Sequence, residues 1–327
     1  MKRVLVLLLF VLAVLPAAAQ ERHAVLIGGL GGSPAHTEVF RGYLFEARRA
    51  FVEALGVPAE HVTVLAEAAL EDEAFVDGVS TAENIRAAFE RLAARVAADG
   101  HVYVVLFGHG SFDGTHAQLN IPRRDLADAD YAELLGGLRA ERVVFVNTAS
   151  ASAPFAEVLS GPGRVVITAT RSGTQRNETV FPQHFVAALA DPAADLDYSG
   201  DLSVLEVFRY AAERTARGFE QAGTIPTENA LLEDTGDARA ARLEELGGAA
   251  EGSLAAVTYL RRGAALAAGA ADPALAPLLR ERDGLERQIA EVKSQKAGLD
   301  EDIYYARLEQ LFLRLARLNE RIEGTGD

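Results

Sequence analysis

Five short apolar runs recur between His23 and Ala169, and the stretches between them carry helical spacing. The runs are HAVLIGG (23–29), VTVLA (62–66), VYVVLF (102–107), VVFV (143–146) and VVITA (165–169). Each is too short for a buried helix, rich in β-branched residues, and closed by small or turn-forming residues. Continuous apolar strands separated by helices belong to parallel sheets covered on both faces. The helical stretches fall at Thr37–Leu55, near Leu126–Leu138 and at Phe155–Leu159, with another from Ser80–Thr81 to about Ala98. Ser80 or Thr81 caps that last helix, and Glu83 is placed for a capping box. The pattern predicts a doubly wound, mostly parallel α/β sheet with flavodoxin-like layering.

The chain continues differently after Arg262. Residues 263–277 are rich in Ala, Gly and Pro and read as a linker. From Leu278 the sequence is charged, with apolar residues at Leu285, Ile289 and Val292, then at Tyr304, Leu308, Leu311, Leu315, Leu318 and Ile322. The second set steps 4-3-4-3-4, the spacing of a coiled-coil seam. Gly298 and a phase slip near Ile303–Tyr304 divide the segment, so 278–323 is expected to be a helical hairpin or coiled coil. It folds back on itself or on the domain, or else serves self-association or partner binding. The expected body of the protein is residues 20–262.

The N-terminus reads as an address. Lys2 and Arg3 precede an apolar run from Val4 to Pro16, and Ala17-Ala18-Ala19 offers a small-residue cleavage site, the layout of a signal peptide. The expected product is secreted or periplasmic, cut near Ala19 and without a later transmembrane segment. Net charge is −15 with no basic run, which argues against nucleic acid as a partner. The chain has no cysteine, so disulfides, thiolate metal sites and a thiol nucleophile are all excluded.

Ligands of open parallel sheets bind at the carboxyl ends of the strands. Those ends carry Gly28-Gly29-Leu30-Gly31-Gly32, Gly108-His109-Gly110-Ser111, Thr148-Ala149-Ser150-Ala151-Ser152 and Thr170-Arg171-Ser172-Gly173. Pro34 stands where a dinucleotide fingerprint needs its third glycine, so the first loop reads as a cleft wall. His109, Asp113 and His116 read as a polar loop rather than a metal set. Arg41, Arg171 and Arg176 lie near strand ends and could meet an acidic side chain, although solvation is their commoner state. His109 beside the serine-rich turn forms a candidate base and nucleophile.

Phe107-Gly108-His109-Gly110-Ser111, with Ala149-Ser150-Ala151-Ser152-Ala153 after the next strand, resembles the caspase and legumain group of cysteine peptidases. That group carries its general base in a His-Gly pair. Its nucleophilic cysteine lies some forty residues on, in an Ala-Cys-x-Ser-Gly type of turn. The resemblance covers about His23 to Leu260 and implies a caspase-like fold. It places His109 at the base position, Gly110 at the oxyanion donor and Ser150 at the nucleophile, with Ala153 replacing a glycine. A thiol is partly ionised near neutral pH, whereas a serine hydroxyl needs a base oriented by a third group. No orienting carboxylate stands out in the sequence; Asp113 is merely nearest. The favoured expectation is therefore an inactive peptidase homologue that binds peptide or protein ligands. The alternative is a hydrolase using a Ser150–His109 dyad.

The segment from Asp195 to Glu206 fits a twelve-position calcium-loop template. Asp195, Asp197, Ser199 and Ser203 hold the oxygen positions 1, 3, 5 and 9, Gly200 position 6, Leu202 position 8 and Glu206 position 12. Asp201 at position 7 would add an oxygen through its carbonyl. Helical flanks are expected at Phe185–Ala190 and Val207–Arg217. The segment is read as a structural Ca2+ site or, alternatively, as a metal-free acidic turn that caps the following helix. Glu233-Asp234-Thr235-Gly236-Asp237 is a second acidic turn.

Overall fold

The structure is a computed structural model describing residues 21–68, 74–197, 200–246, 251–262, 275–294 and 299–323. The expected signal sequence, residues 263–274 of the expected linker, and Ser199 lie outside the described residues. The strands are β1 (Arg22–Gly28), β2 (Val62–Ala66), β3 (Gly78–Val79), β4 (His101–Phe107), β5 (Gly110–Phe112), β6 (Ala117–Leu119) and β7 (Leu126–Ala127). They continue with β8 (Arg142–Asn147), β9 (Arg164–Thr168), β10 (Leu202–Ser203), β11 (Leu231–Glu233), β12 (Ala241–Arg242) and β13 (Tyr259–Arg261). The α-helices are α1 (Pro34–Arg49), α2 (Ala82–Arg95), α3 (Asp128–Gly136), α4 (Pro154–Leu159), α5 (Phe181–Ala188), α6 (Val204–Ala222), α7 (Ser253–Val257), α8 (Leu275–Ser294) and α9 (Glu301–Glu323).

The main sheet has the order β12-β11-β9-β8-β4-β1-β2-β3. Strands β3, β2, β1, β4, β8 and β9 are parallel, while β11 and β12 close one edge antiparallel. Successive residues of a strand point to opposite faces, so each apolar run feeds two cores. Leu26, Tyr103, Val105, Val144 and Ile167 pack with Leu44 and Phe51, and with Phe181, Phe185 and Phe208 from α5 and α6. Ile27, Val104, Leu106, Phe145 and Val166 pack on the other face with Ile85 and Phe89 of α2, Tyr131 of α3 and Phe155 of α4. The doubly wound α/β reading is what the chain adopts.

Local details depart from expectation. Thr81, not Ser80, is the cap of α2, accepting from the Asn84 N–H (3.3 Å). Ser80 Oγ donates instead to the Gly28 carbonyl across the sheet end (2.6 Å). Asn84 thus occupies the third helical position, where the expected box needed Glu83. Helix α8 starts at Leu275, inside the expected linker, because Pro277 in a first turn forfeits no helical hydrogen bond. Strands β3, β5–β7 and β10–β13 have two or three residues each and carry no apolar run by which to be read.

Helices α8 and α9 pack on each other. Leu285, Ile289, Tyr304, Leu308, Leu311 and Leu318 are buried between them, flanked by Val292, Leu315 and Ile322. The phase slip near Ile303–Tyr304 falls in the first turn of α9, and the expected break at Gly298 lies outside the described residues. Helix α8 also packs against α7, and Tyr259 Oη donates to Glu286 Oε2 (3.4 Å).

Candidate cleft at the carboxyl edge

The chain leaves β1 toward β2 and returns to β4 on β1's other side, which makes the β1–β4 carboxyl ends the switch point of the sheet. Gly29 N–H donates to the Phe107 carbonyl across this point (2.7 Å). The next strand end belongs to β8, parallel to β4. Parallel neighbours deliver successive loops to one edge, so His109 and Ser150 are brought to the same place.

Their contacts differ from those of a nucleophile and its base. Gly110 N–H donates to Ser150 Oγ (3.1 Å), and the Ser150 hydroxyl donates to the Gly110 carbonyl (3.2 Å). Ser150 is 4% exposed. Among the described residues no hydrogen bond joins the His109 ring to Ser150. The ring instead lies edge-on to His36 and Phe40, each at 5.1 Å between centroids. His36 Nε2 faces Glu178 Oε2 at 3.0 Å. The approach of the two loops depends on glycine: a Cβ on Gly110 would sit 2.2 Å from the Ser150 carbonyl oxygen. Gly108, at φ +147°, likewise has a Cα of Gly29 only 3.1 Å from where its Cβ would lie.

The turn after β8 is pinned from several sides. Ala151, at φ 54°, holds a left-handed conformation uncommon for a non-glycine residue, and its N–H donates to the Gln175 carbonyl (2.8 Å). Thr179 Oγ1 donates to the Thr148 carbonyl (2.6 Å), and Ser152 Oγ meets Thr170 Oγ1 (3.2 Å). Gln175 Nε2 donates to Asn229 Oδ1 (3.1 Å). Next to Asn229, the buried Glu228 accepts from the N–H groups of Val180 (2.7 Å) and Phe181 (3.3 Å). Burial pushes the Glu228 carboxyl up to about 7, against the lowering effect of those two amides. His36, Gln175, Glu178, Thr179, Glu228 and Asn229 are all missing from the sequence reading, because no motif spacing marks them.

The remaining candidates are placed as follows. Asp113 is exposed and accepts from the N–H groups of Thr115 and His116 (2.8 Å each), so it serves its own turn rather than His109. His116 Nδ1 lies 2.8 Å from Oδ1 of the fully buried Asp128. Among the described residues His109, Asp113 and His116 form no metal-holding group. Arg41 Nη1 donates to the Ala68 carbonyl (3.3 Å) and Arg176 Nη2 to the Phe112 carbonyl (3.1 Å), while Arg171 is exposed. The glycine loop after β1 is anchored by Glu67, which accepts from Gly31 N–H (3.2 Å) and Thr37 Oγ1 (2.8 Å).

In the acidic loop, one carboxylate oxygen each from Asp195, Asp197 and Glu206 lies within 4.8 Å of the others. Asp201 is outside that group, and it is buried. Gly200, at φ 81°, makes the sharp turn, and Asp195 Oδ2 accepts its N–H (2.8 Å). Glu206 and Ser203 form a capping box on α6: Glu206 Oε2 accepts from Ser203 N–H and Oγ (2.7 Å each), and Ser203 Oγ accepts from Glu206 N–H (3.2 Å). Glu206 Oε1 accepts from Leu196 N–H (3.0 Å). The loop is thus closed by its own amides, and the flanking helices are α5 and α6. None of the described helices is long and apolar enough to cross a membrane.

Compared with known proteins, the chain matches no protein-family model and no curated protein.

Proposed function

We propose that this chain is an exported homologue of the caspase and legumain type that binds peptide or protein segments at the carboxyl edge of its sheet without cleaving them. One observation carries the reading: the Ser150 hydroxyl is buried and hydrogen-bonded at both ends to the Gly110 backbone. A serine becomes a nucleophile only when a base takes its proton, and here the hydroxyl donates a hydrogen bond to a carbonyl oxygen, which is no base. The same contact occupies the Gly110 N–H, the donor that an oxyanion would need. Export is supported by the layout of residues 1–19, and the glycine-lined loops that meet at the carboxyl edge supply the wall of a ligand cleft.

The test is hydrolysis of a mixed peptide and ester library by the purified protein, beside Ser150→Ala and Ser150→Cys. The expected result is no turnover by the first two and saturable binding of library peptides by all three. Turnover by the natural chain that disappears in Ser150→Ala and in His109→Ala overturns the reading and establishes a Ser150–His109 hydrolase.

Calcium at Asp195, Asp197 and Glu206 belongs to the same proposal, as a structural ion beside the helix α6 terminus. Carboxylates that converge on one point and a positive-φ glycine support it. Calcium should raise the melting temperature of the natural protein and leave that of Asp195→Asn unchanged.

A further inference from the structure

The opposite, amino edge of the sheet gathers a second set of groups. Glu21 immediately precedes β1, His23 is the second residue of β1, and His61 ends the short 3-10 turn (Ala59–His61) that leads into β2. Because β1 and β2 pair in parallel with Ala24 opposite Val62, His23 and His61 stand side by side. Their rings stack at 4.2 Å between centroids and 18° between planes. One oxygen of Glu21 and one ring nitrogen of each histidine all lie within 4.8 Å of one another.

Two of the three groups are oriented by a backbone contact at one of their two ligand atoms, which leaves the other atom turned toward the cluster. Glu21 Oε2 accepts from Ala97 N–H (3.0 Å), leaving Oε1 to face His23 Nε2 at 2.9 Å. His61 Nδ1 lies 3.2 Å from the Arg22 carbonyl. A carbonyl only accepts, so Nδ1 carries the proton there and the lone pair is on Nε2. This is how metal-binding histidines are held, by a backbone acceptor behind the ring.

We propose that Glu21, His23 and His61 bind a divalent transition metal of the zinc type, with the fourth position left to water. Two imidazoles and one carboxylate suit zinc, cobalt or nickel, whereas calcium prefers all-oxygen sites such as the acidic loop. Tetrahedral bonds of about 2.0–2.1 Å put ligand atoms about 3.4 Å apart, so Glu21 Oε1 and His23 Nε2, now 2.9 Å apart, open slightly, and the His61 ring turns out of its stack on His23 to aim its lone pair at the ion. Glu21 and His61 are partly exposed and have room to turn; His23 is 4% exposed and fixed by the strand. The metal displaces the proton between Glu21 and His23 and clips the start of β1 to the entry of β2. It lies at the far edge from Ser150 and takes no part in the cleft.

The test is calorimetric titration of the chelator-treated full chain with zinc chloride in saturating calcium, with cobalt(II) as a spectroscopic stand-in. One zinc per chain is expected, together with a raised melting temperature and a tetrahedral cobalt spectrum. Binding should weaken at least tenfold in His61→Gln and in Glu21→Gln, and should be unchanged in the control His184→Gln. Circular dichroism of each variant confirms that it is folded, and Glu21→Gln decides the matter should His61→Gln not fold. Absence of saturable binding overturns the proposal, as does stoichiometric binding retained in both ligand variants.

Discussion

The two edges of the sheet handle their polar side chains in opposite ways. At the carboxyl edge, Ser150 is hydrogen-bonded at both ends to one backbone unit, and Glu228 is consumed by two amides. At the amino edge, Glu21, His23 and His61 turn donor atoms toward one another, and backbone contacts only orient them. A residue type that promises chemistry delivers it only while its reactive atom is unspent. By that measure the proposed reading makes the carboxyl edge the more inert of the two.

The largest way to break the contrast is Gly110→Ala. A methyl 2.2 Å from the Ser150 carbonyl forces the two loops apart, at an expected cost of about 3 kcal/mol in chemical denaturation. Zinc titration of that variant should be unaltered where it remains folded, because the two edges are separate.

Nearly as large is a pH effect. The Glu228 carboxyl sits at about 7 in the folded chain against an ordinary value of 4.5, so the folded state holds this proton more tightly than the unfolded state. Stability therefore falls as pH rises from about 4.5 to 7, by about 3 kcal/mol at most from this group. Asp234, raised to about 6 by burial, adds a slope of the same sign. Subtracting the urea-denaturation profile of Glu228→Gln from that of the natural chain isolates the Glu228 part. A difference that is flat between pH 5 and 7.5 would falsify the assignment.

A smaller effect is expected from Thr179→Val, which strips the Thr148 carbonyl of its 2.6 Å donor and should cost about 1–3 kcal/mol. Thermal unfolding measures it, and the loss should come with weaker peptide binding, because this bond pins the turn that carries Ser150. The smallest effect belongs to His61→Gln without metal, about 0.5 kcal/mol, as expected for a partly exposed side chain. Added zinc should then widen the gap in melting temperature between it and the natural chain, by the linkage of binding to folding.

Much of the fold is legible in the residues themselves. The period-two burial that sends Leu26 and Ile27 to opposite cores follows from uninterrupted apolar strands, and the 4-3-4-3-4 stripe of α9 specifies the partner face on α8. The short edge strands β3, β11 and β12 escape such reading, since two or three residues carry no periodicity. The cap of α2 escaped for a different reason: Ser80 and Thr81 are equally good caps locally, and only the carbonyl of Gly28 across the sheet takes Ser80 away.

The site divides in the same way. His109 and Ser150 could be placed at one edge from the sequence, because strand ends are fixed by pattern and neighbouring parallel strands share a direction. Their chemistry could not, because Ser150's hydrogen bond is to a backbone forty residues away and the ring of His109 is walled by His36 and Phe40 from α1. The sequence alone determined the alternation of strands and helices, the amphipathic tail and the oxygen-rich loop, since local spacing encodes each of them. Tertiary structure alone decided which donor meets which acceptor, including the meeting of Glu21, His23 and His61, since hydrogen bonds and ligand sets form between segments that only packing makes neighbours.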